Sequence, residues 1–370
     1  MIDTAEIEQH RDKATSRAEY ATTDVAASWY VAMRSTDLKR EPAALKMFGQ
    51  PLVAWRDGSG RPVIMHRYCS HQGASLAEGK VVDGHIQCPF HHWQFDNTGA
   101  CALIPGHSTL VRRLEPIPRT ARQSTYVTCE RYGYIWVWYG TKTPLFSLPE
   151  LPGADEGQQD GHMCLRFAYE TRTSVLRIVE NFYDAQHAAP VHELPISSFS
   201  LGALDDPRQS KLDVEALAGA GAWFGGEMEF HVDRYFGIMG VVSRLLGLQM
   251  SKMSLRFDGY PGGCIMTVLI DDEEKYKLLQ CVTPVDKDET RLHVLITIKK
   301  DSSLLRSASN YVLFGLQTKV AAGYDVAIWN AMKSNGGGAY IKYDQLVLKY
   351  RAFYRSWVDK VVQEQPGRAV

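Results

Sequence analysis

Residues 69–95 read CSHQGASLAEGKVVDGHIQCPFHHWQF, with two cysteines and several histidines in one short stretch. Cys69 and His71 form a C-x-H arm, and after sixteen residues Cys88 and His91 form a C-x-x-H arm. Each arm offers one thiolate and one imidazole. Zinc fingers usually group a cysteine pair on one arm and a histidine pair on the other, and ordinary ferredoxin clusters take four thiolates. Neither grouping is present, and zinc held by two cysteines and two histidines is the alternative to an iron–sulfur cluster on these side chains.

A Rieske [2Fe–2S] centre puts both cysteines on one iron and both histidines on the other, which suits two loops that each offer Cys and then His. Gly73 and Gly79 permit tight loop geometry, and Pro89 and Gly99 supply turns. Respiratory-type centres carry an extra cysteine in each loop, and Ala74 and Phe90 stand at those positions here. The lower-potential oxygenase or ferredoxin type is therefore expected. His92 follows the second histidine where oxygenase loops usually have glycine. It reads as a solvated or backbone-bonded surface histidine, or else as a titrating neighbour that tunes the cluster.

Outward from the loops, AASWYVAMRSTDL at 26–38 and YGYIWVWYG at 132–140 show the alternation of half-buried strands. The Pro-rich connector 141–157 reads as a boundary, giving a first domain of antiparallel strands at 27–143 and a second at 144–370. A helical stretch at 174–189 follows, then three strand candidates at 262–272, 275–285 and 291–300, and an apolar helical tail at 303–332. An α+β fold with an antiparallel sheet wrapped around a helix is the simplest packing. GAGAWFGG at 219–226 lacks the third glycine and the βαβ context of a dinucleotide fingerprint, so it reads as a turn and strand. The amphipathic run 236–252 reads as a lid or a packed core helix.

With 41 basic against 42 acidic residues, charge makes no case for nucleic acid or a membrane surface as partner. No window of about 18 apolar residues marks a spanning helix, and the polar N-terminus has no signal-peptide core. Seven scattered cysteines do not resemble a secreted disulfide framework, so a reducing cytoplasm is expected.

A second constellation lies in ENFYDAQHAAPVH, residues 180–192, where Asn181, Asp184 and His187 recur every three residues on one expected helix. His192 would stand about 140° from His187 if that helix continued. Pro190 is expected to break it at Ala189, letting His192 return toward His187. Two histidines and one distant carboxylate make the facial triad of non-haem iron(II) oxygenases. Asp325, in GYDVAIWN on the expected C-terminal helix, is the choice for the carboxylate, with Asp344 the runner-up.

Cys69, His71, Cys88, His91, Asn181, Asp184, His187, His192 and Asp325 occur in the order found in the large subunits of Rieske non-haem iron oxygenases, which this chain resembles. Segments such as RIVENFYDAQHA, FDGYPGGC and YKLLQCVTPV resemble the arylamine N-oxygenases of that family. The resemblance implies an N-terminal Rieske domain, a helix-grip catalytic domain and a homotrimer. It also implies a [2Fe–2S] cluster, mononuclear Fe(II) and O2 as co-substrate. A separate reductase or ferredoxin would supply electrons from NAD(P)H, because the chain carries no flavin or nicotinamide motif of its own. Asp184 and Asn181 would have catalytic roles, Asp184 by linking His187 to His91 of a neighbouring subunit. The implied reaction converts an aromatic amine to a nitroarene. Hydroxylation or demethylation of carbon is one alternative, and an electron carrier that has lost catalysis is another.

Overall fold

The computed structural model describes residues 24–105, 117–155, 161–232, 251–333 and 339–361. Strand Ser28–Arg34 pairs antiparallel with Tyr134–Tyr139, and Thr128–Arg131 completes a three-stranded sheet. The segments that bracket the cluster loops in sequence are thus neighbours in space. Their alternation implied one wet face, yet Ser28–Ala32 and Tyr134–Trp138 are buried throughout. Both faces are covered: Trp138 packs edge-on against Phe146 of the connector, while Tyr139 stacks on Phe48 at 4.3 Å. The sheet is tied to the rest of the chain by Thr283 Oγ1 donating to Val31 O at 2.8 Å and by Ala27 N donating to Trp357 O at 3.0 Å. The connector itself is packed, with Phe146, Leu148 and Leu151 buried and Arg131 paired to Glu150 and Asp155.

Two four-stranded sheets carry the cluster arms. One runs Ala43–Met47, Gln50–Arg56, Pro62–His66 and Thr125–Tyr126; the other Lys80–Val82, His85–Gln87, Gln94–Phe95 and Cys101–Leu103. Trp55, Met65, Leu76, Ile86 and Phe95 form a small separate core under the arms, and Cys69 and Cys88 are part of it.

The remaining strands form one antiparallel sheet in the order His162–Thr171, Glu289–Lys299, Glu273–Asp286, Gly263–Ile270, Lys252–Tyr260, Phe224–Val232, Ile196–Leu204. The three strand segments expected from sequence form its central meander. GAGAWFGG is the end of a short helix, a turn and the start of Phe224–Val232. The helices are α1 (Val175–Asn181), α2 (Ala188–His192), α3 (Glu215–Gly219), α4 (Leu304–Ala331) and α5 (Gln345–Val358). The helix α4 lies on one face of the sheet: Phe314 meets Tyr276 with ring centres 5.0 Å apart, and Tyr169 donates to Lys319 O at 2.6 Å. The α+β expectation of a sheet gripping a helix holds. The run 236–252 lies outside the described residues except for Ser251 and Lys252. No helix among the described residues is long and apolar enough to cross a membrane.

Where the three-stranded sheet meets the seven-stranded one, His293 is buried with its Nε2 unpartnered and its ring 5.7 Å from Tyr134. Burial, then the charges of Arg291 and Arg34, push its pKa down to about 3. The unfolded chain takes up a proton near pH 6.5 and the folded one only near 3, so stability drains away as pH falls through that window. His293→Leu should flatten the drop in unfolding free energy, read from urea titrations, between pH 7.5 and pH 5, by about 2 kcal/mol. An equal drop in wild type and variant would clear His293 of that role.

Candidate metal centres

The two cluster arms share one hydrogen-bond scheme. Cys69 N donates to Ala74 O at 2.9 Å and Gly73 N to Cys69 O at 2.9 Å; Cys88 N donates to Trp93 O at 2.8 Å and His92 N to Cys88 O at 3.1 Å. The loops thereby turn both thiols into the small core and both histidines outward. Cys69 and Cys88 are buried, His71 is exposed and His91 half-buried. The His71 and His91 rings stand 4.6 Å apart, and Trp93 stacks on His71 at 4.3 Å. Burial pushes the Cys69 thiol up to about 11; backbone N–H groups of His71 and Gln72 oppose this, and Cys88 adds to it. A buried Cys69 thiol that resists ionising by itself, with the buried Cys88 beside it and two imidazoles facing it, suits a cationic cluster that supplies the missing positive charge.

The matching scheme explains why glycine usually follows the second histidine. Gly73 has φ 75° and His92, its counterpart, has φ 57°, both left-handed. A side chain at His92 therefore carries backbone strain. His92→Gly should raise stability by roughly 1 kcal/mol, the relief of an αL residue less the added chain entropy of glycine, read as a higher thermal midpoint. A lower midpoint would mean that the imidazole contributes more than its backbone costs.

The second constellation differs in construction from the expected single helix. The first helix ends at Asn181, and Asp184 and His187 sit beyond it. Asp184 Oδ1 accepts from Gln186 N at 2.8 Å, a side chain competing with the helical ladder. The bend therefore comes from 182–187 and not from Pro190, which is the third residue of α2. In that first turn a proline costs little, because its N–H would have no helical partner. His187 and His192 occupy the two ends of α2, with ring centres 5.2 Å apart.

Both Nε2 atoms face the same oxygen of Asp325 on α4, at 3.8 Å from His187 and 3.5 Å from His192. One donor atom from each residue falls within 4.8 Å of the others, and both Nδ1 atoms are buried without a hydrogen-bond partner. Asp184 Oδ2 approaches His187 Nδ1 at 3.6 Å, an electrostatic contact rather than a formed hydrogen bond, and Asn181 Nδ2 lies 3.5 Å from His187 Nε2. Burial disfavours charge on His187, but Asp184 and Asp325 outweigh it and raise its pKa. Burial, reinforced by His187, lowers His192 to about 4. Burial raises Asp325 to about 6, with His187 opposing and Asp184 adding to the shift. A divalent cation would relieve these conflicts together, so the donor set fits an oxygenase metal.

Asp344 is occupied elsewhere, accepting from Gln186 Nε2 at 3.1 Å and Ile341 N at 2.8 Å. An open cavity of about 390 Å³ adjoins α2, lined by Ala185, Gln186, Ala189, Ile196, Phe199 and Tyr343 among others, with none of the three candidate ligands in its wall. Sequence reasoning missed two supports. Trp93 was visible as an aromatic inside the second arm. The buried Glu180, which accepts from Arg351 Nε at 2.9 Å and pairs with Arg177, links α1 to α5, and no spacing announces a contact across 171 residues.

The Rieske [2Fe-2S] domain family matches residues 28–118, which hold both arms. The 3-ketosteroid 9alpha-hydroxylase C-terminal domain family matches 135–358, which hold the gripped helix and the three converging donors. With that pairing of centres, the chain belongs to the Rieske non-haem iron oxygenases, enzymes that use a [2Fe–2S] cluster, non-haem iron, O2 and electrons from a reductase or ferredoxin partner. It is 63% identical to aminopyrrolnitrin oxygenase PrnD of Pseudomonas fluorescens, over 95% of this chain and 97% of that one. Identity to the oxygenase component of 3-ketosteroid-9-alpha-monooxygenase from Rhodococcus rhodochrous is 24%, over 94% and 87% of the two chains. Dicamba monooxygenase bound to 3,6-dichlorosalicylic acid shares the fold, with TM-score 0.68, 15% identity and coverage of 91% and 98%. So does NdmB of Pseudomonas putida CBB5, with TM-score 0.67, 16% identity and coverage of 92% and 96%.

Proposed function

We propose that this enzyme N-oxygenates an arylamine of the aminopyrrolnitrin type to the nitroarene. The observation that carries the reading is 63% identity to an aminopyrrolnitrin oxygenase along 95% of the chain, both centres and the gripping sheet included. Cys69 and Cys88 would hold one iron of the cluster and His71 and His91 the other. His187, His192 and Asp325 would hold the mononuclear iron. When bound, these groups supply reduced dioxygen for the oxidation.

The chain's own residues orient and poise that chemistry. Asp184 fixes the edge of His187 that carries Nδ1, and Asn181 lies against the Nε2 edge. An arylamine nitrogen keeps a conjugated, weakly basic lone pair and so arrives unprotonated at neutral pH, ready for oxidation. Outward-facing His71 and His91 support docking of an electron donor or of a neighbouring subunit there. With Asp184 beside His187, this favours a homotrimer in which a neighbour's cluster approaches Asp184.

Carbon hydroxylation is the second reading, favoured by the match of 135–358 to a steroid hydroxylase domain. Product mass separates the two. The reconstituted enzyme, given a reductase and a panel of arylamines with their des-amino analogues, should replace two hydrogens of the amino group by two oxygens. Ring-hydroxylated products with an intact amino group would reject N-oxygenation.

A further inference from the structure

The large sheet presents a nearly uniform apolar face to α1 and α4, and one amide interrupts it. Register sets which residues share that face. On strand Glu273–Asp286, Tyr276, Leu278 and Gln280 alternate to one side, with Leu278 between Met266 and Ile296 and Gln280 between Cys264 and Val294. Tyr276 meets Phe314 of α4, so this is the side on which α4 carries Asp325. The helix α1 packs on the same strand, and the hydroxyl of Tyr183, between α1 and α2, reaches the thiol of Cys264 beside Gln280. Gln280 therefore lies beneath the elements that bring Asn181, His187 and Asp325 together.

Gln280 is 9% exposed, and its Nε2 is buried without a hydrogen-bond partner. Leaving such a group unpaired is costly, and native cores avoid it unless the group has another use. Small-molecule sites are apolar walls with a few placed polar groups that fix orientation. We propose that Gln280 is a specificity-determining residue, whose amide N–H donates to an acceptor on the substrate remote from the amine. The bond would anchor the far end of an aromatic substrate against the apolar face and so hold its amino group at the three metal-binding side chains. The inference rests on the oxygenase reading of this site.

The test measures affinity and stability rather than turnover. Iron-loaded wild type and Gln280→Met are titrated calorimetrically without oxygen, with 4-aminoacetophenone and with 4-isopropylaniline, which is similar in shape but lacks the acceptor. Wild type should bind the ketone about tenfold tighter, the value of one hydrogen bond, and Gln280→Met should lose that preference. Because the amide nitrogen has no partner in the free protein, the same variant should also melt no lower than wild type. An absent preference in wild type, or a preference that survives Gln280→Met, would overturn the proposal. Ring-hydroxylated products would instead sink the N-oxygenation reading and leave the binding preference untouched.

Discussion

Asp325→Ala should leave the enzyme with its iron–sulfur absorption but without mononuclear iron, and turnover should fall by more than about 100-fold, the upper end for losing a group that merely supports a ligand. The side chain is the common point of two imidazoles, 3.8 and 3.5 Å from their Nε2 atoms, and nothing else among the described residues completes a cluster of three donors there. Removing one of three protein donors from an open site leaves too few to hold the ion. Asp344→Ala is the contrast, because its oxygens already serve Gln186 and Ile341 and its loss should leave iron content unchanged. Metal analysis that finds iron kept in the first variant and lost in the second would move the carboxylate off α4.

Asp184→Asn should cut turnover by roughly 10- to 100-fold with both metals retained and the cluster still reducible. One carboxylate oxygen accepts from Gln186 N at 2.8 Å, and asparagine can keep that bond. The other faces His187 Nδ1 at 3.6 Å. There asparagine presents an N–H to a ring nitrogen that must itself carry the proton when Nε2 binds metal, so donor meets donor and the orienting attraction is lost. Single-turnover kinetics on the reduced variant at the wild-type rate would remove Asp184 from this role.

Most of the site was legible because its chemistry is local or spaced by rule. Cys69, His71, Cys88 and His91 lie within 23 positions of one another, and two equivalent loops present them. Asp325 was harder, since it lies far along the chain and only the packing of α4 on the sheet brings it to α2; an aspartate on an apolar helix was the available hint. Pro190 misled because a proline normally ends the preceding helix, whereas here Asp184 had already ended it by capturing Gln186 N. The aromatic strands misled in another way. Alternation is a statement about one sheet with one wet face, and Ser28–Ala32 are covered on both sides, by Phe48 and by parts of the chain more than a hundred residues away. Gln280 lies within YKLLQCVTPV, a segment of the family resemblance, yet nothing there singles out the amide, because its place in an apolar strand has meaning only once its face is known.

The bond from Ala27 N to Trp357 O also bears on the order in which the molecule can assemble. Tyr354 adds to it, donating from its hydroxyl to Asp24 O at 2.9 Å and accepting from Ala26 N at 3.3 Å. The start of the cluster-bearing half is therefore clasped by a helix 328 residues further along the chain. Vectorial synthesis ordinarily lets an N-terminal half finish before the rest emerges. Here Trp29 and Tyr30 can settle against Trp138 and Phe48 of their own half, but the residues just before them must wait for α5, and contacts of such long sequence separation close slowly.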